Sequence, residues 1–176
     1  MALKATIYKA SLQVSDIDRN YYGEHQLTLA RHPSETDERL MMRVLAFALN
    51  AHEHLQFGKG LSDQDEPDLW QKDLTGQVLH WIDVGQPDEK RLIRASGKAD
   101  RVTVYTYGRG SEMWWGASAE RLARARNLEV WRVPVEATDS LGKLAERAMQ
   151  LQCTVQEDQV WFSNPVATIQ FSLVSP

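Results

Sequence analysis

Two aspartates in the middle of the chain have the residue type and spacing to share a bound cation. Asp68 stands where a strand is predicted to begin, and Asp83 lies on the next strand in line with apolar side chains that include Trp81. A two-residue turn at Thr75-Gly76 would place the aspartates opposite each other, with Cβ atoms roughly 5 Å apart. Like charges at that distance repel, and a cation would reverse the sign. A three-residue loop would turn the carboxylates to opposite faces, so both registers remain open.

A third carboxylate, Glu38, lies on a predicted helix that runs from Ser34 to about Asn50. Ser34 is the expected N-cap, and Asp37 three residues later completes a capping box. On a 3.6-residue period Glu38 shares its face with methionines and leucines, the stripe expected to pack against a sheet. Glu35 is expected instead to serve the positive helix terminus.

Two or three carboxylates suit a hard divalent cation such as Mg²⁺ or Mn²⁺, which binds carboxylate oxygens and retains several waters. Such a site leaves coordination positions for a phosphate and an attacking hydroxide. Glu38, Asp68 and Asp83 are therefore predicted metal ligands and predicted catalytic residues. A catalytic site would also use a lysine or glutamine to offset charge on phosphorus, and Lys98 and Gln86 are the candidates ranked first.

The rest of the chain predicts a mixed α/β (α+β) fold. A hairpin over residues 4–14 and 21–31 comes first, and a strand, helix, strand, helix, strand succession implies crossovers onto a partly parallel sheet. The other expected strands cover residues 55–57, 68–73, 77–84, 101–107, 129–135, 153–156, 160–163 and 166–174, and the other helices start at 88 or cover 111–126 and 138–151.

Composition limits the class of protein and its partners. The chain has 176 residues, 43% hydrophobic and 25% charged, which fits one folded domain over residues 1–176 and excludes disordered and fibrous classes. A net charge of -4 does not suggest a protein that coats nucleic acid, so any polyanion contact must be a local basic patch. The one dense basic stretch is interpreted either as a phosphate-contacting surface or as a solvated helix face, and it contains Lys90, Arg91, Arg94 and Lys98.

Cysteine content and hydropathy bear on location. The one cysteine, Cys153, cannot form an internal disulfide, so a reducing compartment is expected, and its predicted role is a buried apolar side chain. The N-terminus shows no apolar signal core, and nowhere do 18 apolar residues follow one another. The sequence therefore predicts a cytoplasmic protein without a membrane partner.

Four segments resemble the bacterial YaeQ family over nearly the whole length of the chain. They are ARHPSET at 30–36, EPDL at 66–69, WIDVG at 81–85 and ASGK at 95–98. A helical glutamate, a Pro-Asp pair and an acid about fifteen residues later also resemble the PD-(D/E)XK nuclease superfamily. The resemblance makes Asp68 the Pro-Asp acid, Asp83 the second acid and Glu38 the helical acid, while Gly85 stands at the position of the superfamily lysine.

The resemblance implies a compact monomer with a restriction-endonuclease-like core. In such a core helices flank a mixed central sheet, here with an added N-terminal β-hairpin and C-terminal β-strands. Two functions follow as hypotheses: a Mg²⁺- or Mn²⁺-dependent phosphodiester hydrolase acting on nucleic acid, and a binding or regulatory protein in transcription or RNA metabolism without turnover. In a third, purely structural interpretation, arginines or backbone amides satisfy the acids in a buried network.

Overall fold

The computed structural model describes residues 4–176, which form two compact units. The first unit contains the described residues up to Ala51 together with Glu136–Leu173, and the second contains His52–Val135 and Val174–Pro176. Each unit contains one five-stranded mixed sheet. The prediction that the whole chain forms one domain stays a prediction.

Ten strands and four α-helices are found among residues 4–176. In chain order they are β1 (Thr6–Asp16), β2 (Tyr21–Arg31), α1 (Asp37–Leu49), β3 (Leu55–Phe57), β4 (Leu69–Lys72), β5 (Val78–Val84), α2 (Glu89–Lys98), β6 (Ala99–Thr106), α3 (Ser111–Leu122), β7 (Leu128–Arg132), α4 (Val135–Gly142), β8 (Ala148–Gln156), β9 (Gln159–Ser163) and β10 (Thr168–Ser172). None of these helices has the length and apolar character needed to cross a bilayer.

The sheet of the first unit has the order β10-β9-β8-β1-β2. The predicted N-terminal hairpin is confirmed, with β1 and β2 antiparallel from Thr6 opposite Arg31 to Asp16 opposite Tyr21. β8 runs parallel to β1, and β9 and β10 follow as antiparallel neighbours. The hairpin and the C-terminal strands, expected as additions to a central sheet, thus form a sheet of their own.

The predicted helix up to Leu151 is wrong. α4 ends at Gly142, and residues 148–156 form a strand beside β1. The strand alternates buried with more exposed side chains, and Met149, Leu151 and Cys153 are among the buried ones. Pairing with β1 gives these side chains a place in the core, so the period of two prevails over helix propensity.

The start of α1 also differs from the prediction. Thr36, not Ser34, is the N-cap, because its hydroxyl accepts the Arg39 N–H at 3.1 Å. Glu35 does not serve the helix terminus as expected: it is 3% exposed and pairs with Arg39 and Arg43, each at 2.6 Å. The two arginines lie four and eight residues later, on the helix side that faces Glu35.

The sheet of the second unit has the order β3-β4-β5-β6-β7. Its first two pairings are antiparallel and its last two parallel. α2 and α3 connect the parallel strands and pack on one face of the sheet, in a core that contains Trp81, Leu92, Val104 and Leu122. The predicted crossovers onto a partly parallel sheet are confirmed, whereas the restriction-endonuclease-like core stays a prediction.

Candidate functional site

The central hairpin has the strand register that was predicted to bring Asp68 and Asp83 together. Leu69 pairs with Ile82 and Trp70 pairs with Trp81. Asp68 immediately precedes β4, so continuing this register places it beside Asp83.

The turn that produces this register is the three-residue alternative, not the two-residue turn at Thr75-Gly76. Asp73 N donates to Gln77 O at 3.0 Å, which leaves a three-residue loop between them, and the Asp73 carboxylate accepts the Thr75 N–H at 2.8 Å. Such a loop alone would slip the register by one residue. The register shift between Gln71 and Lys72 leaves Leu79 as an extra residue in β5, and this bulge restores the alignment.

Asp68 and Asp83 are both almost completely buried, at 2% and 1% exposure. Each carboxylate accepts a backbone N–H from the other segment: Asp68 N donates to Asp83 Oδ1 at 3.2 Å, and Val84 N donates to Asp68 Oδ2 at 2.9 Å. The two carboxylates thus continue the hydrogen bonding of the hairpin beyond the end of β4. Backbone donors of this kind stabilise a buried carboxylate.

Arg91 compensates the charge of Asp83. Its Nε donates to Asp83 Oδ2 at 2.9 Å and its Nη2 to Asp83 Oδ1 at 3.2 Å, a two-pronged guanidinium–carboxylate pair. The indole Nε1 of Trp81 donates to Oδ2 at 3.0 Å, and the guanidinium carbon lies 5.4 Å from the Trp81 ring centre. The positive charge at Asp83 is therefore supplied by the protein itself.

The same guanidinium also fastens the loop between β3 and β4. Arg91 Nη1 donates to Gln64 O at 2.8 Å, and Nη2 donates to Glu66 O at 2.7 Å. The Arg91 side chain is 17% exposed. Arg91 was predicted as part of an exposed basic stretch, but its guanidinium faces the acids and the loop.

Gly60 allows the loop to approach Asp68 closely. Its φ of +47 is unfavourable for residues with a side chain, and a Cβ here would lie 2.3 Å from Asp68 Oδ1. Gly60 N donates to Pro67 O at 3.1 Å, and Gly58 N donates to Asp68 O at 2.9 Å. Gly58 and Gly60 therefore let the loop pack closely against Asp68.

Gly85 has a backbone conformation that explains why no lysine stands there. Its φ is +95, in the region that favours glycine, and its N–H donates to Tyr105 O at 2.9 Å. A side chain at this position would strain the chain just after β5. A lysine at this position, which the superfamily resemblance implies, would therefore be strained.

The predicted helper residues lie away from the centre of the acid pair. Gln86 is exposed, and its side-chain amide donates to the carbonyl of Tyr107. Lys98 is exposed at the last position of α2, seven residues after Arg91, which is roughly 10 Å further along the helix axis. The structure therefore brings Asp68 and Asp83 together and places Lys98 beyond them.

Glu38 belongs to the first unit, whereas Asp68 and Asp83 belong to the second. It is half-buried near the start of α1, and a Cβ on Gly142 would lie 2.9 Å from Glu38 Cγ. Its convergence with the two aspartates stays a prediction. No group of three or more His, Cys, Asp or Glu side chains within residues 4–176 is arranged to hold a metal ion.

The contribution of two residues to this site was not predicted. Gly60 belongs to a loop without a recognisable phosphate-binding spacing, and Arg91 was counted only among basic residues. The available signal for Arg91 is its position: α2 follows β5 after a short connection, so an arginine in the first turn can reach back to the end of that strand.

His80 is buried on β5 and bonded to Thr103 Oγ1 at 2.8 Å. Burial, with a smaller contribution from the Arg101 guanidinium and against the opposing effect of Glu129, lowers the pKa of His80 to about 4. Cys153 is buried as predicted, and burial raises the pKa of its thiol to about 12, so it is not poised as a nucleophile.

Replacing Arg91 by alanine is expected to lower the free energy of unfolding by about 3 kcal/mol, because Asp83 would stay buried without its cation. Urea denaturation of the wild type and the variant measures the difference. Arg94→Ala is the matched control, since Arg94 is exposed on the same helix, and its effect should stay within about 0.5 kcal/mol. Equal losses in both variants would contradict this role of Arg91.

The buried, neutral His80 should make the stability of the protein depend on pH. The unfolded chain protonates this residue near its ordinary pKa of 6.5 and the folded protein only near 4. The stability that depends on a neutral His80 is therefore fully present above pH 6.5. As the pH falls towards 4, the free energy of unfolding decreases by about 3 kcal/mol for this reason. Stability curves of His80→Gln should be flatter than wild type in this window, while the exposed control His54→Gln should follow the wild type.

Comparisons with known proteins identify the same family over nearly the whole chain. The family model for the YaeQ protein matches residues 1–173. The uncharacterized protein YaeQ of Escherichia coli strain K12 is 41% identical over 176 residues, covering 99% of this chain and 97% of the relative. The crystal structure of the YaeQ protein from Xanthomonas axonopodis pv. citri has a TM-score of 0.93 at 46% identity, covering 97% of both chains. That of the YaeQ protein from Pseudomonas syringae has a TM-score of 0.92 at 38% identity, covering 96% of this chain and 94% of that one. The predicted resemblance to the YaeQ family is thus confirmed, the resemblance to the nuclease superfamily stays a prediction, and the chain belongs to the YaeQ family.

Proposed function

We propose that this protein binds nucleic acid on a nuclease-like scaffold without hydrolysing it, in a binding or regulatory role in transcription or RNA metabolism. The observation that carries the proposal is a stripe of three exposed cations on α2, hereafter the basic stripe, formed by Lys90, Arg94 and Lys98. The second unit, with α2 and α3 on one face of a partly parallel sheet, is the part that would correspond to a restriction-endonuclease-like core.

The geometry of the basic stripe suits a row of phosphates. Its members are four residues apart, so they lie on one side of α2 with a rise of about 6 Å between neighbours. Within residues 4–176 none of the three is in an ion pair. Cations without a protein partner are available to neutralise phosphates.

A groove between α2 and α3 adds further positive charge. Its volume is about 200 Å³, and Arg121 and Arg124 line it together with Ile93 and Ser96. Arg121 pairs with Glu89, yet its side chain remains 68% exposed. The basic stripe gives the acidic protein the local basic patch that polyanion binding requires, and the groove adds arginines on another side of α2.

The contacts of the acids support binding without turnover. A divalent cation at Asp83 would compete with the Arg91 guanidinium, which already engages both carboxylate oxygens. The residues as arranged therefore do not fit a metal ion at Asp83. Because glycine stands at position 85, no lysine side chain is available there to offset charge on a phosphate.

Removing two charges from the basic stripe should weaken binding to any sequence. For Lys90→Gln/Lys98→Gln we expect lower affinity for a labelled DNA duplex of about 20 base pairs. The slope of the logarithm of the binding constant against the logarithm of the salt concentration should fall in magnitude by about two, because two phosphate contacts are lost. Fluorescence anisotropy between 50 and 200 mM salt measures both quantities.

The matched control for this pair is Lys4→Gln/Lys143→Gln, which changes the net charge equally at exposed positions of the first unit. It should retain the wild-type slope. Equal slopes in the two variants would exclude the basic stripe as the contact surface. Single-stranded RNA and DNA of the same length, titrated in parallel, identify the preferred ligand.

A second candidate function is Mg²⁺- or Mn²⁺-dependent phosphodiester hydrolysis. The observation that favours it is the juxtaposition of Asp68 and Asp83, two buried carboxylates from neighbouring segments. Glu38 would be the third ligand, and Lys98 or Gln86 the electrostatic helper. Hydrolysis would require Arg91 to leave Asp83, which makes this the weaker proposal.

Metal titration separates the two candidates. Binding without turnover predicts that Mg²⁺ or Mn²⁺ leaves the thermal unfolding midpoint unchanged. It also predicts that single-stranded, duplex and branched DNA and RNA stay intact after incubation with the metal-loaded protein. A native metal site would instead stabilise the fold by about 2.7 kcal/mol at one hundred times its dissociation constant. A saturable rise together with cleavage, both lost in Asp68→Asn, would establish the hydrolase.

A further inference from the structure

The outward face of the sheet in the first unit carries many hydrogen-bonding side chains and little charge. One row across the five strands contains two aromatic residues and three neutral polar residues, in the order Tyr22, Ser15, Thr154, Trp161 and Gln170. Tyr22 is 60% exposed and Trp161 is half-buried. Strand spacing places these two rings roughly 14 Å apart, across three strand-to-strand steps.

The next row is rich in amides and hydroxyls. Its members are Glu24, Gln13, Gln152, Ser163 and Thr168, and Glu24 is the one charged side chain in the two rows. Gln152 Nε2 donates to Gln13 Oε1 at 3.4 Å, so the two neighbouring amides contact each other. The row therefore presents donors and acceptors side by side.

A groove of about 250 Å³ crosses this face. Gln13 and Gln152 line it together with Gln150, and the turn after β9 contributes Asn164 and Pro165. Asn164 Oδ1 accepts the N–H groups of residues 166 and 167 at 2.9 and 2.8 Å, which fixes the shape of that turn. The groove thus has a hydrogen-bonded turn as one wall and amide side chains in its lining.

We propose that this face binds a neutral oligosaccharide. A sugar ring offers hydroxyls that donate and accept around its edge, which matches amides that do both, and its C–H faces pack on an aromatic ring such as Trp161. Sites for small ligands use a few placed polar groups of this kind within a concave surface. The two rings lie in the row beside the groove, so a ligand of several sugar units would contact both a ring and the amides.

The charge of these two rows argues against a nucleic acid as occupant, and Lys9, the cation on the same face of β1, lies two rows from Gln13. Surfaces that bind single strands combine stacking rings with a positively charged groove, and the two rows contain no cation. Glu24 would repel a phosphate at the edge of the groove. This proposal therefore stands apart from the nucleic-acid contact on α2.

Titration of the ¹⁵N-labelled full chain with neutral hexasaccharides tests the proposal. The probes are hexamers of glucose in α-1,4 and β-1,4 linkage, of mannose and of N-acetylglucosamine. We expect saturable NMR shift changes at the side-chain amides of Gln13 and Gln152 and at the Trp161 indole with at least one probe. In Gln13→Ala/Gln152→Ala the affinity should fall about tenfold or more.

Gln56→Ala is the control, because Gln56 is exposed on β3 in the other unit, and it should bind like the wild type. Backbone spectra of each variant verify folding. Absence of saturable shifts with all four probes, or equal binding by the double variant, would overturn the proposal. Shifts at these residues with single-stranded RNA instead of sugars would overturn it as well.

Discussion

The paired charges of Asp83 and Arg91 are the constraint on which the second unit depends. A carboxylate at 1% exposure beside Trp81 is tolerable only with a cation and hydrogen-bond donors, and Arg91 provides the cation. Because the same guanidinium binds Gln64 O and Glu66 O, one side chain joins β5, α2 and the loop before β4. Asp68 completes the arrangement by exchanging hydrogen bonds with the end of β5.

This constraint gives two functions to one helix. Arg91 points inward and neutralises an acid, whereas Lys90, Arg94 and Lys98 point outward without ion partners in the described chain. The acids that suggested a metal site from the sequence thus position the helix that carries the proposed nucleic-acid contact. The two acids therefore have a structural role in this fold, and a fold alone does not determine activity.

Much of the fold could be predicted from local pattern. The N-terminal hairpin, a helix that starts near Asp88 and the register that places Asp68 beside Asp83 follow from alternation and turn residues. The register was reached for the wrong reason, because a longer loop and a bulge at Leu79 cancel each other. The bulge has no signal in the sequence of either strand. Residues 148–151 were assigned to a helix because their strand partner, β1, is distant in sequence.

The candidate site was predictable in its acids and not in their partners. Asp68 and Asp83 stood out because they interrupt apolar patterns, but the identity of the compensating charge depends on which helix residue reaches back to the strand. Periodicity places Arg91 on α2 without showing its tertiary contacts. The close approach of Gly60 to Asp68 likewise arises only when the loop folds over the acid.

Native-state hydrogen exchange in Arg91→Lys tests the central role of the Asp83–Arg91 pair most directly. Lysine keeps the charge but cannot make the two-pronged contact or hold both loop carbonyls. The account predicts faster exchange at the amides of Gly58, Gly60, Asp68 and Val84 together, with the β1–β8 amides unchanged. Unaltered exchange at those four amides would contradict it.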